Sequence, residues 1–128
     1  MQHVLLIALG GALGAVSRHV VNQAGMRLIG PEWPYGTFTV NVLGCFLLGG
    51  LVGWLALAGR PDATELRYAL GVGFLGAFTT MSAFSLDVMV MVERKTYVMA
   101  AMYAGGTLMA SMVAVFAGLI LARKVFAA

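Results

Sequence analysis

The spacing of charge constrains this chain most. Between Glu32 and Arg60 run 27 residues without Asp, Glu, Lys or Arg. The intervals from Arg67 to Asp87 and from Lys95 to Arg123 hold 19 and 27 more, and 17 precede Arg18. A membrane-spanning helix needs about 20 mainly apolar residues at a rise of about 1.5 Å each. Four such spans fit the 128 residues and leave only short connections. The spacing therefore predicts an all-α, polytopic membrane protein, one four-helix domain with spans near 3–27, 36–57, 68–92 and 97–122. Composition agrees. Hydrophobic residues make up 61% of the chain and charged residues 10%, against about 25% charged in soluble domains. A small globular domain could not hide that much apolar surface, so a soluble fold, a disordered chain and a disulfide mini-protein are excluded.

The beginning of the chain lacks a basic start, and its apolar run continues past Arg18, so the first helix reads as a retained span rather than a cleaved leader. Cys45 is the sole cysteine; inside a span and without CxxC spacing, it reads as a small packed residue. The net charge of +3 comes from Lys and Arg scattered at helix ends. They form no basic stripe, and no nucleic-acid partner is expected.

With four spans, the first residues, the second loop and the end of the chain share one side. That side carries Arg60, Arg67, Arg123 and Lys124; the other carries Arg27, Arg94 and Lys95, with Arg18 close to it. The positive-inside rule thus gives almost no preference. Either a partner or the first helix sets the orientation, or both orientations insert and an antiparallel homodimer becomes possible. Small residues mark close helix contacts: Gly10, Gly14 and Ser17 on one face of the first span, and Gly49 and Gly53 in the second.

The third span carries the irregularity. Gly73 and Gly76 are followed by Thr79, Thr80 and Ser82, with residue 80 at the middle of 68–92. This cluster predicts a helix broken near the bilayer midplane, where freed backbone is tolerated only inside protein or beside water. The broken ends would offer carbonyls to a cation and N–H groups to an anion. The alternative is that Thr and Ser back-bond to the helix and only bend it. Asn41 lies buried in the second span, with Thr37 one turn earlier on the same face; its amide suits either an anion or an interhelical hydrogen bond. Tyr103, Thr107 and Ser111 recur every fourth residue and form a hydroxyl stripe on the fourth helix. Thr80, Phe84 and Asp87 share a face of the third. Arg18 is read first as snorkelling to the interface with a structural hydrogen bond, and otherwise as holding a carbonyl or drawing anions into a vestibule. No Asp or Glu sits at the centre of a span, no His/Glu/Asp set has metal-ligand spacing, and no nucleophile–base set assembles. Hydroxyls, one amide, aromatic edges and a broken helix suit passive passage of a small ion.

At this point the chain resembles the Fluc (CrcB) fluoride channels along essentially its whole length. The matching runs are Gly10-Gly11-Ala12-Leu13-Gly14-Ala15 with Arg18, then Tyr35-Gly36-Thr37-Phe38-Thr39-Val40-Asn41-Val42-Leu43-Gly44, then Gly73-Phe74-Leu75-Gly76 through Thr79-Thr80 to Ser82 and Phe84. The second and third runs, in this order and spacing, are the specific ones. The resemblance implies an antiparallel, dual-topology homodimer in the cell (inner) membrane, with two pores that let cytoplasmic fluoride escape passively. It implies that Asn41 donates N–H bonds to fluoride, that Phe84 turns a ring edge to the ion, and that Ser82, Thr80, Tyr103, Thr107 and Ser111 supply the polar track. Thr37, Arg18 and Asp87 would lie near the vestibules. Carbonyls of Gly76 and Thr79 from both subunits would hold a central sodium ion. The chain departs from the family pattern at Met81, where a Phe is usual, at Ala77, where a glycine is usual, and at Ala83, where a threonine is common. Fluoride conduction is expected to survive, because methionine fills an aromatic's space. A small multidrug transporter would need a membrane-centre glutamate in the first helix, which is missing. A structural subunit of a larger complex would not need the Thr/Thr/Ser cluster.

Overall fold

The computed structural model describes residues 1–127. Among the described residues, four helical runs are long and apolar enough to cross a membrane: Gln2–Leu28, Tyr35–Ala58, Ala63–Glu93 and Tyr97–Phe126. The first two follow the sequence expectation to within a residue at each end. The third begins five residues earlier than expected and the last ends four later; Ala63, Glu65 and Leu66, and Arg123 and Lys124, are good helix formers that extend them. We label them α1 (Gln2–Leu28), α2 (Tyr35–Ala58), α3 (63–78), α4 (Met81–Glu93) and α5 (Tyr97–Phe126). The third span comprises α3 and α4.

The connections are short and chemically specified. Gly30, at φ 118°, turns the chain after α1 ahead of Pro31, a conformation that favours glycine. Gly59, at φ 53°, closes α2 in the left-handed conformation common at helix ends. The α2–α3 loop is tied by Arg60 and Asp62 at 2.7 Å. Their mutual hydrogen bond holds the Asp62 carboxyl below the usual carboxylate range and raises Arg60. Between α4 and α5, Thr96 donates both its N–H and its hydroxyl to the Met91 carbonyl at 3.0 and 2.9 Å.

Close packing comes from glycine faces. A Cβ on Gly14 would overlap the Phe74 carbonyl of α3, and one on Gly10 the Ala69 carbonyl. The opposing stretch, Arg67–Leu75, is wound as a π-helix, a wide form usually seen as a single turn and often near functional sites. On the other side, Gly49 of α2 abuts the Val115 carbonyl of α5, and Gly118 of α5 abuts the Phe46 carbonyl. Backbones that touch this closely gain dispersion contact and need no water exclusion, which is how helices associate in lipid. The large side chains point outward: Leu9 is 67% exposed, Leu13 64% and Met109 64%. Inside, Thr37, Thr80, Thr107 and Tyr103 are buried beside Val40, Leu75, Phe78, Phe84 and Met91. The broad apolar exterior suits a chain whose solvent is hydrocarbon.

Candidate functional site at the helix break

The third span breaks where the sequence places it, at Thr79 and Thr80. Thr79 has φ −76° and ψ 158°, and Thr80 has φ −154° and ψ 113°, both extended. Gly73 and Gly76 do not make the break; Gly73 lies in the π-helical stretch and Gly76 in the α-helical turn that follows it, and Gly73 serves the contact with α1 near Ile7. The threonines make it. Thr79 Oγ1 back-bonds to the Leu75 carbonyl at 3.0 Å, while Thr80 Oγ1 accepts the Ala83 N–H at 3.2 Å and caps α4. Back-bonding and the break, posed as alternatives in the sequence, thus operate one residue apart.

An extended residue at this depth leaves its N–H and C=O without helical partners, a costly state away from water. Asn41 supplies both partners. Its Oδ1 accepts the Thr80 N–H at 2.7 Å, and its Nδ2 donates to the Thr80 carbonyl at 3.1 Å. One amide hydrogen of Asn41 is left over. Gly44, one turn on, lets the break approach: a Cβ there would overlap Thr79 Cγ2 and press on Phe78. The Thr-x-x-x-Asn-x-x-Gly spacing therefore presents Thr37, Asn41 and Gly44 to the interrupted span as one face.

Arg18 makes a structural hydrogen bond to the break: its Nη1 donates to the Thr79 carbonyl at 3.3 Å. Gly76 stands beside it. In a continuous helix its carbonyl would accept from the Thr80 N–H, which here goes to Asn41. Gly76 is exposed on the chain's outer face.

The fourth span supplies a buried polar track. Tyr103 is 1% exposed and Thr107 3%; Ser111 is half-buried. Tyr103 packs against Phe84 with ring centroids 5.4 Å apart and donates its hydroxyl to Asp87 Oδ2 at 3.0 Å. Thr107 Oγ1 and Ser111 Oγ are buried with no hydrogen-bond partner and do not back-bond to their own helix. A buried hydroxyl left without a partner costs roughly 1–3 kcal/mol, and neither of these two is spent on the protein's own groups. Thr37, Asp87 and Arg94 line a cavity of about 410 Å³ that opens beside Trp33 and Glu32.

The expected site residues fall on two faces. Asn41, Thr80, Phe84, Tyr103, Thr107, Ser111, Thr37 and Asp87 turn into the bundle, whereas Met81, at 65% exposure, together with Ser82 and Gly76, turns out of it. Ser82 keeps one link to the interior, its hydroxyl 3.3 Å from Thr80 Oγ1. Sequence reasoning missed Trp33, whose ring stands edge-on to Tyr103 at 5.1 Å, and Asn22, which lines the cavity. Trp33 carried only the weak mark of an interfacial aromatic; Asn22 lies four residues after Arg18, a helical spacing that could have flagged it.

Fold and site together define a four-span, multi-pass membrane protein with a helix interrupted at mid-depth beside a buried polar track. The chain belongs to the CrcB family: the family profile described as CrcB-like protein, Camphor Resistance (CrcB), matches residues 5–119. A Caulobacter vibrioides (strain NA1000 / CB15N) protein named fluoride-specific ion channel FluC is 50% identical over 127 residues, 99% of this chain and 100% of that one. Its namesake in Phenylobacterium zucineum (strain HLK1) is also 50% identical, over the same shares. The namesake in Rhizobium etli (strain ATCC 51251 / DSM 11541 / JCM 21823 / NBRC 15573 / CFN 42) is 46% identical over 123 residues, 96% of this chain and 98% of that one.

Proposed function

We propose that this chain is a fluoride-selective channel of the cell (inner) membrane, built as an antiparallel homodimer with two pores, which lets fluoride leave the cytoplasm passively. The observation that carries this reading is the pair of buried, unpartnered hydroxyls on Thr107 and Ser111, running on from Tyr103 beside the break, in a chain half identical to fluoride-specific channels. Fluoride is small and strongly hydrated. A pore must replace its water with several short-range donors and still release it. Neutral donors do this without a fixed cation that would trap the ion. Tyr103's hydroxyl proton is committed to Asp87. The donors left are therefore the second N–H of Asn41 and the hydroxyls of Thr107 and Ser111, with the positive edge of Phe84.

The split of the site supports a second copy. Met81, Ser82 and Gly76 face outward at the depth of the break, where a partner's inward track would meet them. Near-balanced Lys and Arg on the two sides permits both orientations. The carbonyls of Gly76 and Thr79 from two chains fit a hard cation such as sodium in donor chemistry. The Gly76 oxygen has lost its helical donor, and the Thr79 oxygen keeps a second lone pair beside its bond from Arg18. A sodium ion bound there would neutralise the converging helix ends; Arg18 already holds the Thr79 carbonyl from within its own chain.

The purified chain, reconstituted in liposomes loaded with fluoride or chloride and followed by ion-selective electrodes, is expected to release fluoride and retain chloride. Vesicles that hold their fluoride would overturn the reading. In the same assay Met81→Phe is expected to leave the fluoride rate within about threefold of wild type, since methionine fills a similar volume; a much larger gain would mean that the native site is impaired.

A further inference from the structure

Asn22 is absent from every role assigned above, yet it occupies a telling place. It sits one helical turn beyond Arg18 on α1, and so on the same face, the face that reaches the break. It lines the 410 Å³ cavity together with Thr37 and Asp87. Its Oδ1 is buried and has no hydrogen-bond partner, so the amide is not spent on holding α1 to α2. Gly36 makes the room for it: a Cβ at 36 would overlap both Oδ1 and Cα of Asn22. Gly36 precedes Asn41 by five residues, about 7.5 Å along α2 at the usual rise. Asn22 is thus offset outward from Asn41 by roughly one hydrated ion.

The charges around it sharpen the point. The acidic and basic side chains lining the cavity are Glu32 and Asp87 against Arg94. An anion entering gains nothing from that balance. It needs neutral donors, and Thr37 and Asn22 carry them.

Resting on the fluoride-channel reading, we infer that Asn22 is an outer anion-handling residue of the pathway, its amide N–H replacing hydration water before the ion reaches Asn41. An amide can present its donor to the cavity by turning about its last bond, because no partner fixes its present orientation. The residue sets how readily fluoride enters, while Asn41 and the hydroxyl track set what passes.

The test is fluoride efflux from liposomes bearing the full-length chain, wild type against Asn22→Asp, Asn22→Ser and Asn22→Ala. The aspartate is nearly isosteric but negative. Its efflux is expected to be about tenfold slower than wild type at about 0.01 M ionic strength, and to recover to within about threefold at about 1 M impermeant salt, as the Debye length falls from about 30 Å to about 3 Å. Asn22→Ser, which keeps a donor, is expected to run several-fold faster than Asn22→Ala. Wild-type rates for Asn22→Asp at both salt levels, or a deficit that salt does not touch, would overturn the inference and leave Asn22 a spacer opposite Gly36. Should the aspartate variant not assemble, equal rates for the serine and alanine variants overturn it, and the expected difference supports it. A silent wild-type chain defeats the channel reading itself. A conducting wild type with an indifferent position 22 defeats only this step.

Discussion

Asn41→Ala is expected to reduce fluoride efflux to the background of empty liposomes and to lower stability by about 2–6 kcal/mol, since two backbone groups lose their partners at roughly 1–3 kcal/mol each. The stability loss would be read as a lowered thermal midpoint in detergent. The magnitude follows from what Asn41 holds. It closes both the N–H and the carbonyl of Thr80, and no water replaces them cheaply at that depth. The companion Asn41→Asp separates structure from conduction. Its carboxylate still accepts from the Thr80 N–H, so part of the stability returns. It offers no N–H to the Thr80 carbonyl or to an anion, and it sets a negative charge against fluoride, so efflux stays at background. If Asn41→Asp conducts as wild type, Asn41 is a structural pin and not a fluoride ligand.

The second large effect lies away from the pathway. Gly49→Leu is expected to prevent α2 and α5 from docking and to destabilise the chain by about 3 kcal/mol or more, seen as loss of the folded peak in size exclusion or a collapsed thermal midpoint. A Cβ at 49 meets the Val115 carbonyl and the Leu119 nitrogen. These are backbone atoms, so relief requires a whole helix to move. Its neighbour gives the control. A Cβ on Gly50 would lie 3.9 Å from the Gly118 carbonyl, an ordinary contact, so Gly50→Ala is expected to be neutral or to gain up to about 1 kcal/mol from helix propensity. Equal damage at both positions would mean that general crowding of α2, and not this helix contact, explains the effect.

Much of the site was visible in the amino-acid string because its chemistry is local. Thr79 and Thr80 offer side-chain oxygens that compete with helical bonding wherever they stand, so an interruption near the middle of the span is legible from the Thr/Thr/Ser cluster. Tyr103, Thr107 and Ser111 repeat at a helical period, so their shared face needed no partner to be seen. Gly73 and Gly76 misled, because glycine signals both a weak helix and a close contact, and only the neighbour decides which. Here Gly73 meets α1 near Ile7, and the helix runs on through it. The π-helical winding of Arg67–Leu75 had no mark in the sequence at all.

Hydropathy and charge spacing by themselves determined the number of spans, their limits to within a few residues, and the depth of the interruption, because transfer into lipid is a sum over neighbouring residues. Only the tertiary structure decided that Arg18 reaches the Thr79 carbonyl, that Asn41 spends one of its two amide hydrogens and its oxygen on Thr80, and that Met81 is left exposed while Phe84, three residues on, is buried. Those outcomes depend on which helix faces meet. That is set by bare backbone at Gly14, Gly44 and Gly49 pressing against segments about 35 to 66 positions distant, and no local pattern encodes the match.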